Sequence, residues 1–328
     1  MDTPLACAED APITAPVLAL HLQQQGTERE LARLIEAIAE GSVAVALRLA
    51  QGRLTGDPTA AVGTNESGDK QKALDMAAHD HFIALFKGLS VRNVLSEEAD
   101  AVETLNPEGQ YDIAMDPIDG SGSIGIGAPL GALFAIFPAG ETFLRRGREM
   151  VAACYVSFGH SVDFGFSTGR GVAIAALDPV SGMYHVDAPE VRVKPETATV
   201  AFNASNHRRW PDALRRYIDG LIAGKDGPRG KDFNMRWIAA AVGDLHRILR
   251  QGGVFMYPAD TRPAYTEGFL RLAYEAFPIA YLIEQAGGIA SDGAGPILDR
   301  VPDHLHDRTP LFFGSAGEMT ALLDTLNR

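Results

Sequence analysis

The largely apolar strand expected over 111–115 stops on Asp116 and opens into the nine residues DPIDGSGSI, positions 116–124. A chain that sets two carboxylates and a polar glycine turn directly behind a buried strand must fold so that the strand's end meets something able to satisfy that charge. A short strand expected over 91–95 leads to Glu97 and Glu98, and the segment GDKQKALD adds Asp69 and Asp75. Acids at strand ends fit an α/β architecture, in which side chains leave the sheet together and converge on a crevice. Hard oxygen donors gathered at one point suit Mg2+ or Mn2+, which take carboxylates and water and share their remaining positions with phosphate. The pattern points to metal-dependent phosphatase chemistry.

With 328 residues, 46% of them hydrophobic, the chain can bury a full core and is long enough for two domains. A net charge of -13 repels nucleic acid and anionic membranes, so a phosphorylated substrate needs metal ions or a locally basic pocket to overcome the field. Cys7 and Cys154 are too few for a disulfide framework and fit a reducing, cytoplasmic setting. The first residues carry acids where a secretory leader is basic, and 1–25 reads as a frayed tail. No apolar run is long enough to span a membrane.

Along the chain, Thr27 with Glu30 forms a capping box, and Leu31, Leu34, Ile35 and Ile38 recur on one helical face before Gly41 and Ser42 interrupt it. The next helix is expected over 72–87, with Leu74, Ala78, Leu85 and Phe86 inward. The stretches 131–137, 151–158, 162–168, 171–177 and 183–186 read as a run of mostly antiparallel strands, which excludes a simple β-α repeat. Past Lys194 the pattern changes to strand, helix, helix, strand, helix. A boundary is therefore expected near 195, separating a metal-binding domain over 26–195 from a substrate-binding α/β domain over 196–328. Residues 236–250 form an amphipathic helix stopped by Gly252 and Gly253, 254–257 a buried strand, and 268–285 a helix that Pro278 should kink.

Hydrolysis of a phosphate monoester needs an activated water, a hold on the phosphoryl group and neutralisation of the leaving oxygen. Ions held close together by carboxylates supply all three. One acid alone at such a place is ordinarily a helix cap or a solvated charge; three clusters together are not. Gly120, Gly122 and Gly125 also match a dinucleotide-binding fingerprint, but Asp116 and Asp119 would set negative charge against a pyrophosphate, and Pro129 cuts short the helix that fingerprint opens. His79 with His81, and His304 with His306, fall on different helix faces, which speaks against zinc.

GDKQKALD, SEE and DPIDGSGSI, followed by KDFNMRWIAAAVGDLHRILRQGGVFMYP, LRLAYEAFPIAYLIEQAGG and LFFGS, together resemble the class I fructose-1,6-bisphosphatases, within the lithium-sensitive sugar phosphatases. The resemblance implies an α/β fold with α+β character, layered α-β-α-β-α around two mixed sheets. It implies a homotetramer and Mg2+-dependent removal of the 1-phosphate of fructose 1,6-bisphosphate, with two or three ions per subunit. The family's metal positions match Asp69, Glu97, Glu98, Asp116, Asp119, Glu275 and the carbonyl of Ile118, and Asp75 with Glu98 matches the pair that activates water. Gly120 and Ser121 match the cradle of the reacting phosphate. Asn203, Tyr257, Arg271 and, from a neighbouring subunit, Arg236 match the remaining substrate contacts.

The chain departs from that pattern where Phe269 stands for a phosphate-binding cation, Trp237 and Asn206 for tyrosines, and Gly122 and Ser123 for Ser-Asn. A lost charge-assisted bond should weaken recognition of the second phosphate. Sedoheptulose 1,7-bisphosphate or a sugar or inositol monophosphate is therefore an alternative substrate, and an inactive regulatory relative an alternative of another class. Gly26, Thr27 and Tyr111 fit the family's AMP site, whereas Leu31 and Gln110 do not, so AMP control is not expected.

Overall fold

The computed structural model describes residues 11–64 and 70–327. In chain order the helices are α1 (Leu18–Gln24), α2 (Arg29–Ala50), α3 (Ala73–Phe86), α4 (Asp212–Ile222), α5 (Ala241–Gln251), α6 (Phe277–Gln285) and α7 (Ala316–Leu326). The first strands are β1 (Ala61–Thr64), β2 (Lys70–Lys72), β3 (Val91–Ser96), β4 (Glu103–Thr104), β5 (Tyr111–Asp119), β6 (Leu130–Pro138), β7 (Ala152–Phe158), β8 (Val162–Ser167), β9 (Val172–Leu177) and β10 (Tyr184–Val191). The later strands are β11 (Thr199–Phe202), β12 (Asn234–Met235), β13 (Val254–Tyr257), β14 (Leu270–Arg271), β15 (Ile289–Ser291), β16 (Arg308–Thr309) and β17 (Leu311–Gly314).

An eight-stranded sheet runs β10-β9-β8-β7-β6-β5-β3-β4 and a five-stranded sheet runs β12-β11-β13-β17-β15. In the first sheet only β3 and β5 pair in parallel, so the expected antiparallel run over β6 to β10 is present. In the second, β11 is parallel to β12 and β13, and β17 is antiparallel to β13 and β15.

The layers follow from strand periodicity. In β6, Leu130, Ala132, Phe134 and Ile136 face one core with α2 and α3, while Leu133, Ala135 and Phe137 face another with α5 and α6. In β13, Phe255 faces that second core, and Val254 and Met256 face a third with α4 and α7. Strands buried on both faces read as unbroken apolar runs. The order is α, β, α, β, α, as the resemblance implies, and the middle layer serves both sheets.

Four local expectations are corrected. The tail expected over 1–25 contains α1, with Leu18 and Leu22 buried, and Val17 bridges His185. Helix α2 is capped by Glu28, whose side chain accepts from the Leu31 amide at 2.9 Å, rather than by Thr27, and it continues through Gly41. Helix α5 begins at Ala241, five residues later than expected, because Ala239 takes φ 70°. Residues 268–271 are not helical: β14 is followed by a π-helical turn, Leu272–Ala276, that runs directly into α6, with Pro278 just past the join.

Candidate functional site

Strand β5 delivers the centre of the site. Asp116 and Asp119 lie in its last turns of pleat, and Glu275 comes from the π-helical turn before α6, a widened turn of the kind that recurs at functional sites. All three are buried, and one carboxylate oxygen from each lies within 4.8 Å of the others. Asp119 accepts the Val242 amide at 2.7 Å, from the first turn of α5. Gly131, opposite Asp119 in β6, makes that approach possible: a Cβ there would stand 2.2 Å from Val242. Asp116 folds back to accept the Ile118 amide at 2.9 Å, and Glu275 accepts the Arg271 amide.

Like charges so close, away from water, suppress each other's ionisation. Burial, followed by the charges of Glu97, Asp119 and Glu275, pushes Asp116 well above the usual carboxylate range. Burial and the charges of Glu97 and Asp119 do the same to Glu275, against the Arg271 amide. Burial pushes Asp119 up to about 6, against the Val242 amide. Hard oxygens in mutual repulsion, on carboxylates already oriented by backbone amides, are the donor set a divalent cation satisfies, so the residues fit a metal.

A cavity of about 400 Å³ opens over this cluster. Asp75, Glu97, Glu98, Ile118, Gly120, Ser121, Tyr257 and Arg271 also line it, joining the residues named from the sequence around one space. Gly120 has φ 81°, and a Cβ there would stand 2.6 Å from that of Ala240, so both backbone and space require glycine. Lys72, just before α3, donates its amide to Asp75 at 3.3 Å and its ammonium to the Ser121 carbonyl, tying α3 to the glycine turn. Burial pushes Asp75 up to about 6, against Lys72.

Two expected contacts lie elsewhere. Asn203 caps the turn Ala204–Arg209, accepting from the Ser205 amide and hydroxyl, and Arg236 is exposed beyond β12 and donates to its neighbour Met235; neither lines the cavity of its own chain. Asp69 lies outside the described residues, as does Cys7. Sequence reading missed Gln71, which donates to the Glu98 carbonyl at 2.8 Å, and Arg308, whose cross-strand partner is Arg271. A two-residue strand leaves no periodic signal. His79 is a support rather than a ligand: it bridges Ser96 Oγ at 2.9 Å and Glu103 at 3.2 Å, behind the Glu97 corner.

Comparison with known proteins identifies this arrangement. Residues 13–189 match the profile of the fructose-1-6-bisphosphatase N-terminal domain and residues 193–327 that of its C-terminal domain. The chain belongs to the fructose-1,6-bisphosphatase family. A class 1 fructose-1,6-bisphosphatase of Brucella suis is 49% identical over 293 residues, 89% of this chain and 86% of that protein, and one of Brucella canis is 48% identical over the same shares. Among solved structures, the Leishmania major fructose-1,6-bisphosphatase in holo form covers 96% of this chain and 100% of its own at TM-score 0.90 and 28% identity. The same enzyme's T-state matches at 0.84 and 27%, covering 96% and 99%.

Trp237, Phe255, Tyr257 and Phe269 give the cavity an aromatic wall. Trp237 stacks on Phe255 at 5.4 Å and 12°, and lies 5.9 Å from Tyr257. Phe269 stacks between Tyr257, at 4.8 Å and 19°, and Tyr265, at 5.3 Å and 4°. Asn206, which like Trp237 stands for a tyrosine, is buried and does not line the cavity.

Proposed function

We propose that the chain removes the 1-phosphate of fructose 1,6-bisphosphate, giving fructose 6-phosphate and phosphate, as a Mg2+-dependent phosphoric monoester hydrolase. The observation that carries this reading is the meeting of buried Asp116, Asp119 and Glu275 beside the Gly120 turn, in one cavity that Tyr257, Arg271 and Arg308 also line. Asp69, Glu97, Glu98, Asp116, the Ile118 carbonyl, Asp119 and Glu275 would hold two or three Mg2+ or Mn2+ ions. Bound there, such ions polarise phosphoryl oxygens and lower the pKa of the attacking water.

The chain's own groups do the remaining work. Gly120 and Ser121, with little side chain, let the reacting phosphate approach the backbone closely. Asp75, raised to about 6, is a carboxylate at neutral pH yet close enough to it to take a proton from the water, with Glu98 alongside. Tyr257 and Arg271 orient the sugar, and Asn203 and a neighbouring subunit's Arg236 complete the distal end in a homotetramer. The exposure of Arg236 outside its own cavity supports that last role. Two cysteines, too few for a disulfide framework, support a reducing, cytoplasmic setting.

Asp119→Asn tests the reading, because it keeps the shape and removes a charge. With Mg2+ present, kcat/KM for fructose 1,6-bisphosphate should fall by at least about 10–100-fold, the range seen when even a supporting group of a metal site is lost. Undiminished turnover would refute it. A panel that adds sedoheptulose 1,7-bisphosphate, fructose 1-phosphate and inositol monophosphate measures the substrate preference directly.

A further inference from the structure

The cavity is electrically lopsided. Its floor is acidic, and among the described residues lining it the cationic side chains are Arg271 and Arg308. These two face each other across the antiparallel pair of β14 and β16, so both side chains leave the same face of the ribbon. They differ in where the charge goes. Arg271 is 5% exposed, donates to the His306 carbonyl at 2.9 Å and acts electrostatically on Glu275, which places its charge toward the acidic floor. Arg308 is half-buried, with Nη1 3.3 Å from the carbonyl of Ala264. Ala264 belongs to the turn Pro263–Tyr265, whose Tyr265 ring lies flat on Phe269. Arg308 therefore stands at the end of the cavity away from the metal-binding acids, beside the ring column of Tyr257, Phe269 and Tyr265.

Phe269 occupies the sequence position at which the family resemblance calls for a phosphate-binding cation. It is 39% exposed, stacks with Tyr257 and Tyr265, and presents apolar ring atoms but no charge to the cavity. The geometry points to Arg308 as the specificity-determining residue that takes the substrate's second phosphate, supplying the cation that position 269 lacks. The aromatic column forms the wall along which the sugar's apolar face lies. A guanidinium can hold a phosphate through two parallel bonds, which a lysine cannot, so moving the charge to Arg308 need not weaken recognition. The inference rests on the reading that the scissile phosphate sits over the acidic cluster, and it adds the group that measures the distance to the other one.

The test compares kcat/KM for fructose 1,6-bisphosphate with that for fructose 1-phosphate, which lacks the distal phosphate, in the full-length protein with Mg2+. In Arg308→Gln the ratio should fall about tenfold, through KM more than kcat, as expected for losing one charge-assisted bond. Arg308→Lys, which keeps the charge, should recover part of it. An unchanged ratio in Arg308→Gln, or an equal fall in Arg308→Lys, overturns the proposal. Phe269→Lys gives an independent check should the glutamine variant not fold. With Arg308 already in place, the added lysine should raise the ratio less than about threefold, and a larger rise would show that Arg308 does not fill the place position 269 leaves. Failure of the underlying reading looks different: the unmodified protein would then turn over neither substrate.

Discussion

Asp75 shows how one residue can be made reactive by its position. It is 2% exposed, in the first turn of α3, with Oδ2 held by the Lys72 amide and Oδ1 without a hydrogen-bond partner among the described residues. An unsatisfied buried carboxylate oxygen is costly, and native structures keep one where a ligand or water completes it. Burial raises its pKa to about 6, so the base form needed for proton abstraction is lost as pH falls through that value. Activity should therefore climb with pH along a limb near 6. Asp75→Asn should remove that limb and lower kcat by about 10²–10⁴-fold while leaving Mg2+ affinity, read by calorimetry, much as before. A limb that survives the substitution would assign it to another group. Asp75 was nameable from GDKQKALD as an acid near a helix start. That it is buried was not, because burial comes from β5 and the glycine turn, far along the chain.

Single elements show where periodicity misleads. Gly41 and Ser42 look like a break, yet α2 runs through them because the missing Cβ is used for packing. A Cβ at Gly41 would stand 2.9 Å from Leu85 and 3.3 Å from Phe82 of α3, and His81 reaches the Gly41 carbonyl at 3.0 Å. Ser42 meanwhile bonds the Ala39 carbonyl and the Tyr184 hydroxyl, each at 2.6 Å. Gly41→Val should force α2 and α3 apart and cost about 1–3 kcal/mol in urea unfolding, with kcat retained below the transition. A stabilised variant would mean that the helices are not in close contact there. The delayed start of α5 has a comparable cause. Its apolar periodicity extends back toward Arg236, but the chain bends through Ala239 at positive φ so that the Val242 amide can meet Asp119. Strain of that kind gathers at functional sites and leaves no mark in a hydrophobic pattern. The longer strands β5 to β10 and β13, by contrast, were legible, because long apolar runs bounded by turn residues admit few other readings.

At the scale of the molecule, α5 and α6 lie between the two sheets, so residues from both halves of the sequence fill one core around Leu133, Phe255 and Leu282. The acids draw on the same sharing: β3 and β5 belong to the first sheet, whereas Glu275 leads into a middle-layer helix. The layered order could be named from motif resemblance, but the convergence of Glu275 on Asp116 could not be read from spacing, since it depends on how α6 packs across the first sheet. The convergence has a thermodynamic signature. In the ion-free protein Asp116, Asp119 and Glu275 have folded-state pKa values above those of the unfolded chain. The folded state then binds protons more tightly than the unfolded one, so their stability contribution is present below about 4 and is lost as pH rises, through about 6 for Asp119 and through the raised values of the other two. With chelator present, the melting temperature should fall between pH 5 and pH 8, a window above the range in which paired surface carboxylates titrate. Mg2+ should cancel that fall, because binding a hundredfold above Kd adds about 2.7 kcal/mol and raises the midpoint by several degrees on a chain of this size. A melting temperature that is flat with pH under chelation and indifferent to Mg2+ would mean that the three carboxylates are neither close nor ion-binding in solution, and the proposed chemistry would lose its centre.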